Sequence, residues 1–254
     1  MASLFRVTLA SATLAFVVAC GLTFNNPVSP SFLPPAGLIG AWRFDEGSGA
    51  VLDSSGQGND GTAAGGAIWT TIARYGLGMS LNTTDADDIV DLGNPAILQV
   101  TGSMTVAAWI HATSFPANDA SIVSRKDLPG LGFQLDTTID LGPRVIGFKL
   151  KDPAAADMAR YGSTTLVANT WYHVAGVYNA SAQTMHVYLN GNLDDGALFG
   201  TVASSQRNDS AMNTTIGQRP GGPGTYPHQG YLDNVRIYGR ALSRAEVRAD
   251  MKAP

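Results

Sequence analysis

Glutamate and cysteine are nearly absent from this chain of 254 residues. Only Glu46 and Glu246 are glutamates, against 18 aspartates, and Cys20 is the single cysteine. Helix-rich proteins place Glu on their exposed faces, whereas Asp suits turns, caps and oxygen-ligated metal sites. One thiol cannot form a disulfide within its own chain. The sequence therefore favours a turn-rich protein that folds without cross-links.

Charge is also scarce, and this excludes one class of function. Charged residues make up 14 % of the chain, the net charge is −4, and no segment gathers Lys and Arg into a basic stripe. The electrostatic footprint of a nucleic-acid-binding protein is therefore missing. Hydrophobic residues make up 44 % of the chain and are spread along its length, which is enough for one core. We expect one globular domain and a monomer.

The N-terminal segment has the pattern of an export signal. After Arg6 comes an uncharged run, Val7 to Ala19, that is too short to span a bilayer as a helix. Residues 17–21 (VVACG) resemble the lipobox of bacterial lipoproteins, which implies that Cys20 is lipidated after residues 1–19 are removed. The resemblance implies a protein anchored at the outer membrane or cell surface of a bacterium. The alternative is an inert, buried Cys in an ordinary cleaved signal.

Residues 20–36 read as a lipidated cysteine followed by a Pro/Asn/Ser tether, and the folded domain is expected over residues 37–254. From Leu38 onward, short runs alternate between apolar and polar residues and are separated by Gly, Asn, Asp or Pro, which is typical of antiparallel strands. Asn190-Gly191 predicts a type I′ hairpin turn. Ser243 and Glu246 predict a capping box on one short C-terminal helix, which packs through Leu242 and Val247. The predicted strands are Leu38–Phe44, Ile89–Leu92, Met104–His111, Ala120–Arg125, Gly132–Leu135, Val145–Leu150, Trp171–Tyr178, Met185–Leu189, Thr214–Gly217 and Gly230–Tyr238.

A series of motifs resembles the LamG-like jelly-roll domains of the concanavalin A-like lectin/glucanase superfamily. The resemblance implies an all-β fold of two antiparallel sheets packed face to face, with the short C-terminal helix. The motifs, in chain order, are AWRFDEGSG (41–49), DSSGQGNDG (53–61), DIVDLG (88–93), MTVAAWI (104–110), WYHVA (171–175), VYLNG (187–191) and GYLDNVRIY (230–238).

The loop from Asp53 to Gly61 combines side-chain oxygens with three glycines, and Ca²⁺ binds sets of six to eight oxygen ligands. The loop is not an EF-hand, because its twelfth position is Ala64 and not Glu. The resemblance implies a structural calcium held between this loop and the last strand. We expect its ligands to include Asp53, Asn59, Asp60 and Asp233. The alternative is a Gly/Asp turn held by Asx-type hydrogen bonds.

Catalytic patterns are missing. Glycosidases of this fold carry two Glu on one strand in the order Glu-x-Asp-x-(x)-Glu, and neither Glu46 nor Glu246 has a Glu partner nearby. No cluster of Arg, Gln, His and Tyr of the alginate-lyase kind occurs, no His spacing suits zinc, and no Gly-x-Ser-x-Gly is present. The sequence therefore predicts a protein that is not an enzyme.

Sugar recognition needs aromatic rings beside polar groups. Trp42, Trp109 and Trp171 fall within strand motifs and are expected in the core or in sheet packing, and Trp69 is expected beneath a loop. The loop from 219 to 229 lies at a sheet rim, where such sandwiches place function. Arg219, Tyr226 and His228 are the predicted binding patch.

Together these patterns predict a non-enzymatic cell-envelope lipoprotein whose domain binds glycans or extracellular proteins, with a structural Ca²⁺. Two alternatives stay open at this point. One is a divergent polysaccharide-degrading enzyme, a glycosidase or a lyase, and the other is an adhesion module that binds only proteins.

Overall fold

Short strands joined by turns build most of the chain, as the alternation predicts. The structure is a computed structural model, and it describes residues 35–81, 87–126, 130–208, 211–221 and 226–254. The strands are β1 Leu38–Trp42, β2 Thr62–Ala64, β3 Ile68–Thr70, β4 Gly78–Leu81, β5 Ile89–Asp91, β6 Met104–Ala112, β7 Ala120–Ser124, β8 Gln134–Thr138, β9 Val145–Lys151, β10 Asp157–Gly162, β11 Trp171–Asn179, β12 Thr184–Leu189, β13 Asn192–Leu193, β14 Asp195–Phe199, β15 Thr215–Ile216 and β16 Gly230–Tyr238. A 3₁₀ turn spans Ala96–Leu98 and the helix α1 spans Arg244–Asp250.

The strands of the described residues form two antiparallel sheets. The first sheet has the order β13-β12-β11-β6-β16-β4-β3, and β1 pairs with the second half of β16. The second sheet has the order β14-β10-β9-β8-β7-β15-β5-β2. Neighbours in both sheets are often far apart in the sequence, which is characteristic of a jelly-roll sandwich. The predicted fold class is confirmed.

The core lies between the two sheets. On β6, Met104, Val106, Ala108 and Ile110 are buried in it, and the intervening residues face outward, as their alternation predicts. The second sheet contributes its own apolar rows from β8 and β9, including Phe148. Residues that alternate with these rows lie on the two outer faces of the sandwich.

The predicted hairpin at Asn190-Gly191 is confirmed. Both residues have positive φ angles, 50° and 71°, as a type I′ turn requires, and β13 folds back onto β12 directly after them. All ten predicted strands occur, with ends displaced by up to three residues. Of the strands that the patterns did not predict, β2, β3, β4 and β13 are short and β14 carries mostly exposed residues, so their alternation is weak. β10 was also not predicted, and it is buried on both of its faces, which removes the alternation.

The C-terminal helix packs on the outer face of the first sheet. Ser243 accepts a hydrogen bond from the N–H of Glu246, whose side chain accepts one in return, so the predicted capping box is confirmed. Leu242 and Val247 are buried against apolar residues of β1, β6, β11 and β16, as predicted. Among the described residues, no helix is long and apolar enough to cross a membrane.

A buried polar cluster fixes the end of this helix. Asp250 accepts a hydrogen bond from the Tyr238 hydroxyl at 2.6 Å and lies 3.3 Å from the Arg236 guanidinium and 3.2 Å from His173 Nε2. These partners hold the pKa of the Asp250 carboxyl below its ordinary value, although burial alone would raise it. The helix and its cluster therefore cover one part of the outer face of the first sheet.

Candidate functional site

A row of three aromatic rings crosses the outer face of the first sheet, beyond the part that the helix covers. The strand register places Trp171 of β11 opposite His111 of β6, and His111 opposite Tyr231 of β16. The ring centroid of His111 lies 5.2 Å from that of Trp171 and 5.6 Å from that of Tyr231. All three residues are half-buried, so each keeps some contact with solvent. We call these three residues the aromatic row.

The row faces outward because of the alternation of its strands. Trp171 and His173 lie on the same face of β11, whereas the intervening Tyr172 lies on the other face and packs against the core. The same alternation turns His111 away from the neighbouring Ile110, which is buried. Trp171 therefore lies outside the core and packs against His111 on the outer face of the sheet, which is the second of the two placements predicted for it, core or sheet packing. Trp42 is fully buried, as predicted.

The aromatic row continues across the sheet as a shallow strip. Ser80 of β4 pairs with Tyr231, and Ile68 of β3 pairs with Ser80. Ser80 is half-buried, and Ile68 is 59 % exposed. Five neighbouring strands thus present one surface with three rings at one end and a hydroxyl and an aliphatic side chain at the other.

Polar groups border this strip at the strand ends. The Thr113 N–H donates to the Gln229 carbonyl at 2.9 Å, and the Ser114 hydroxyl donates to Gln229 Oε1 at 2.7 Å. Asn169 has a φ of 59° and donates its N–H to the Ala112 carbonyl, which anchors the start of the loop that leads into Trp171. The strip therefore has amides and hydroxyls along one border.

The opposite border is a loop that covers Trp109, which lies two residues before His111 on β6. The Arg74 guanidinium lies 4.5 Å from the centroid of the Trp109 ring, and the ring of Tyr75 meets it edge-on at 6.4 Å. The indole N–H of Trp109 donates to the Met251 carbonyl at 3.2 Å. Trp109 is thereby buried in sheet packing, as predicted, although it lies on the outer face of the sheet.

Asp233 holds this loop in place. Its Oδ2 accepts the N–H groups of Arg74 and Tyr75 at 2.8 and 2.7 Å, and its Oδ1 accepts the side-chain amide of Asn234. Burial raises the pKa of Asp233 to about 6, and the backbone donors act in the opposite direction. A buried carboxylate therefore sets the position of Arg74.

The outer face of the second sheet carries a different, closed arrangement. Lys149 Nζ lies 2.6 Å from Asp119, 2.9 Å from Asp136 and 2.7 Å from Asp140. The Tyr161 hydroxyl donates to Asp140 at 3.0 Å. Burial raises the pKa of Asp136 to about 6 in spite of Lys149. Lys149 and Asp136 are buried, and Asp140, whose side chain is 41 % exposed, is the outward member of the network.

Comparison with known proteins identifies the fold family. A laminin G family model, described as concanavalin A-like lectin/glucanases superfamily, matches residues 84–248. The chain belongs to the concanavalin A-like lectin/glucanase superfamily. The match covers β6, β11 and β16, which carry the aromatic row. No curated protein matches the chain.

Solved structures with the superfamily fold include binding domains. Domain 4 of AbnA, an extracellular arabinanase of Geobacillus stearothermophilus solved with arabinotriose, has 18 % identity and a TM-score of 0.61, and the match covers 85 % of this chain and 98 % of that domain. The binding domain of Paraclostridial Mosquitocidal Protein 1 has 16 % identity and a TM-score of 0.64 over 85 % and 52 % of the two chains. The botulinum neurotoxin serotype D domain solved with N-acetylneuraminic acid has 15 % identity and a TM-score of 0.62 over 85 % and 50 %. The chain thus spans about half the length of the two toxin domains.

The predicted calcium ligands of the first loop bind backbone donors. Asp53 accepts the N–H groups of Ala41, Ser55 and Asn59, each at 2.9 Å. Asp60 accepts the N–H of Asp53 at 2.7 Å, and the Asn59 amide donates to the Ile39 carbonyl. These bonds correspond to the alternative that the sequence left open, a turn held by Asx-type hydrogen bonds.

Asp233, the fourth predicted ligand, binds the loop of Arg74 and Tyr75 instead. Within the described ranges, no group of three or more His, Cys, Asp or Glu side chains is placed to hold a metal ion. Asp53 and Asp233 accept N–H groups of two different loops. Calcium binding stays a prediction.

Two of the three residues of the predicted binding patch, Arg219 and His228, are buried, and Tyr226 is half-buried. The Arg219 guanidinium lies 4.6 Å from the Tyr226 ring, so these two residues are together, as predicted. His228 is 1 % exposed, and burial lowers its pKa to about 4. His228 is therefore a neutral interior residue that cannot contact a ligand at the surface. Cys20 and residues 1–34 lie outside the described residues.

Proposed function

We propose that the domain is a non-catalytic glycan-binding module and that the aromatic row is its binding face. The observation that carries the proposal is the row itself: three half-exposed rings from three strands, with centroids 5.2 and 5.6 Å apart. Sugar rings present C–H faces that stack on aromatic side chains, and their hydroxyls need polar groups beside the rings. Gln229, Ser114 and Ser80 supply such groups next to the row.

The comparisons support a binding role. The arabinanase domain solved with arabinotriose matches this chain over 98 % of its own length, and a toxin domain of the same fold was solved with N-acetylneuraminic acid. Identities of 15 to 18 % carry the fold but not the ligand. We carry over to this chain only the general class of ligand, a carbohydrate.

The contacts of the two glutamates support the absence of glycosidase chemistry. Glu246 pairs with Arg240 at 2.8 Å and caps the helix through Ser243. Glu46 accepts the Leu52 N–H and the indole N–H of Trp69, both at 3.2 Å. Both glutamates therefore stabilise local structure, and a retaining glycosidase needs a pair of carboxyl groups about 5 Å apart across a cleft.

Substitution within the aromatic row tests the proposal. Purified protein is titrated with a panel of soluble polysaccharides by affinity electrophoresis and calorimetry, and the products are assayed for reducing ends and for unsaturated uronates. Trp171→Ala should lower the affinity for the bound polysaccharide about 3- to 10-fold, because one stacking ring contributes roughly 0.5–1.5 kcal/mol.

Phe199→Ala is the matched control, because Phe199 is a 55 % exposed aromatic on the edge strand β14 of the other sheet. It should leave the affinity unchanged. Equal affinities of the Trp171 variant and the wild type would contradict the placement of the site. Release of reducing ends or unsaturated products would favour the enzyme alternative.

We further propose that the module is exported and held at the bacterial envelope through Cys20. The support is the sequence alone, namely an uncharged run followed by a lipobox-like VVACG at residues 17–21. Labelling of cells with an alkyne fatty acid should mark the wild-type protein and not Cys20→Ser. Equal labelling of both proteins, or none of either, would contradict the anchor.

A further inference from the structure

We infer that the glycan face is built for sugars that carry a carboxylate, with Arg74 as the residue that binds it. This inference rests on the proposed function and adds the class of ligand. Arg74 is exposed at the border of the strip that contains the aromatic row, and its guanidinium stacks on Trp109 at 4.5 Å and on Tyr75 at 5.5 Å. An arginine stacked on an aromatic ring keeps the N–H groups at the edge of its planar guanidinium for hydrogen bonds to a ligand.

The charges around Arg74 leave its guanidinium available. In the part of the chain that the structure describes, Arg74 is in no ion pair. Two acidic groups hydrogen-bond to the backbone of the same loop and form no ion pair with Arg74: Asp233 accepts the N–H groups of Arg74 and Tyr75, and Asp45 accepts the N–H of Leu77 at 2.9 Å. A carboxylate from a ligand would therefore be the guanidinium's charged partner.

The position of Arg74 also suits a ligand on the aromatic row. The Arg74 guanidinium lies over Trp109, and Trp109 is two residues from His111 of the aromatic row on the same face of β6. Two residues correspond to less than about 7 Å along a strand. Tyr231 of the row and Asp233, which anchors the Arg74 loop, have the same relation on β16. A sugar stacked on the row therefore places a substituent within reach of Arg74.

The stack on Trp109 lowers the cost of binding. An arginine side chain loses rotamer entropy when a ligand fixes it, and contacts that fix it beforehand reduce that loss. A guanidinium also binds a carboxylate through two parallel hydrogen bonds, which an ammonium cannot do. Arg74→Lys should therefore keep the charge and lose part of the affinity.

The test compares two polymers that differ only in the carboxylate. The probes are polygalacturonate and its carboxyl-reduced, neutral product, titrated at low and at moderate salt. The wild type should bind polygalacturonate about tenfold more tightly than the reduced polymer, and added salt should narrow this difference. Arg74→Gln should lose about tenfold affinity for polygalacturonate and stay within twofold of wild type on the reduced polymer.

Arg207→Gln is the matched control, because it removes the same charge from an exposed arginine beside Lys151 of the second sheet. Thermal melting verifies that each variant folds, and Arg74→Lys keeps a cation over Trp109 if Arg74→Gln is unstable. If Arg74→Gln binds both polymers as the wild type does while Trp171→Ala binds both more weakly, the inference is overturned and the proposed function stands. If the wild type binds neither polymer but binds another polysaccharide of the panel, the inference is overturned and the proposed function stands. If Trp171→Ala changes neither affinity, or the wild type binds no polysaccharide of the panel, the proposed function fails and the inference fails with it.

Discussion

Replacing Asp53 tests whether hydrogen bonds alone hold the first loop. Asp53→Ala removes one carboxylate that accepts three backbone N–H groups, from Ala41, Ser55 and Asn59. A hydrogen bond to a charged group contributes roughly 1.5–3 kcal/mol, and water replaces part of it at a half-buried site, so the total loss should be about 4 kcal/mol. For a domain of this size, that loss corresponds to a decrease in melting temperature of roughly 10 °C.

The assay is urea unfolding of wild type, Asp53→Ala and Asp53→Asn, each in Ca²⁺ and in EDTA. Asp53→Asn keeps one oxygen as acceptor for two of the three N–H groups, so it should lose about half as much stability as Asp53→Ala. Both losses should be the same in EDTA, because the bonds need no cation. A loss that appears only in Ca²⁺, together with a wild type that Ca²⁺ stabilises, would refute this reasoning and support the predicted metal site. A loss below about 0.5 kcal/mol would refute the importance of the loop itself.

Two further predictions concern buried carboxyl groups of the first sheet. Because the pKa of Asp233 is raised to about 6 in the folded protein, its protonated form favours folding; this contribution is fully present below about pH 4 and is lost as the pH rises through 6. The stability of wild type relative to Asp233→Asn should therefore fall by up to about 3 kcal/mol between pH 4 and pH 7 in urea titrations, and a flat or rising difference would contradict the shift. Asp250→Ala leaves the buried Arg236 guanidinium and Tyr238 hydroxyl without their carboxylate, so unfolding at pH 7 should become about 3 kcal/mol easier. A decrease of less than about 1 kcal/mol in the free energy of unfolding would show that the polar cluster around Asp250 contributes little to stability.

The fold could be predicted from the sequence because its causes are local. Apolar alternation assigned the faces of β6, Asn190-Gly191 set a hairpin with both φ angles positive, and the Ser243–Glu246 capping box began the helix. Each of these signals involves residues within a few positions of one another, where backbone geometry alone decides the outcome.

The candidate site depends on long-range register, and this is why it was missed. Tyr231 lies beside His111 only because β16 pairs with β6, and Trp171 joins them only because β11 pairs with the other edge of β6. Alternation does place Trp171 and His111 outward, so the outward faces were a usable signal. Which outward residues share a row was not contained in any local pattern.

For the predicted binding patch and the predicted calcium ligands, the sequence indicated polar residues but not the partners that they have in the fold. His228 follows a Gly/Pro-rich loop and was expected at the surface, but its N–H pairs with the Gly217 carbonyl and the ring is buried. Asp53 and Asp233 each lie beside backbone N–H groups and serve different loops. Residue type identified groups that need partners, and only tertiary structure decided which partners they have.

The most direct test of the aromatic row uses the four indole N–H signals of the protein in ¹H–¹⁵N NMR spectra. Trp42, Trp69 and Trp109 donate their indole N–H to Asn59, Glu46 and Met251, whereas Trp171 belongs to the open row. With Trp171→Phe to assign its signal, titration with an oligosaccharide of the bound polymer should shift the Trp171 resonance most and leave that of the buried Trp42 in place. A ligand that binds while the Trp171 signal stays unmoved would contradict the account.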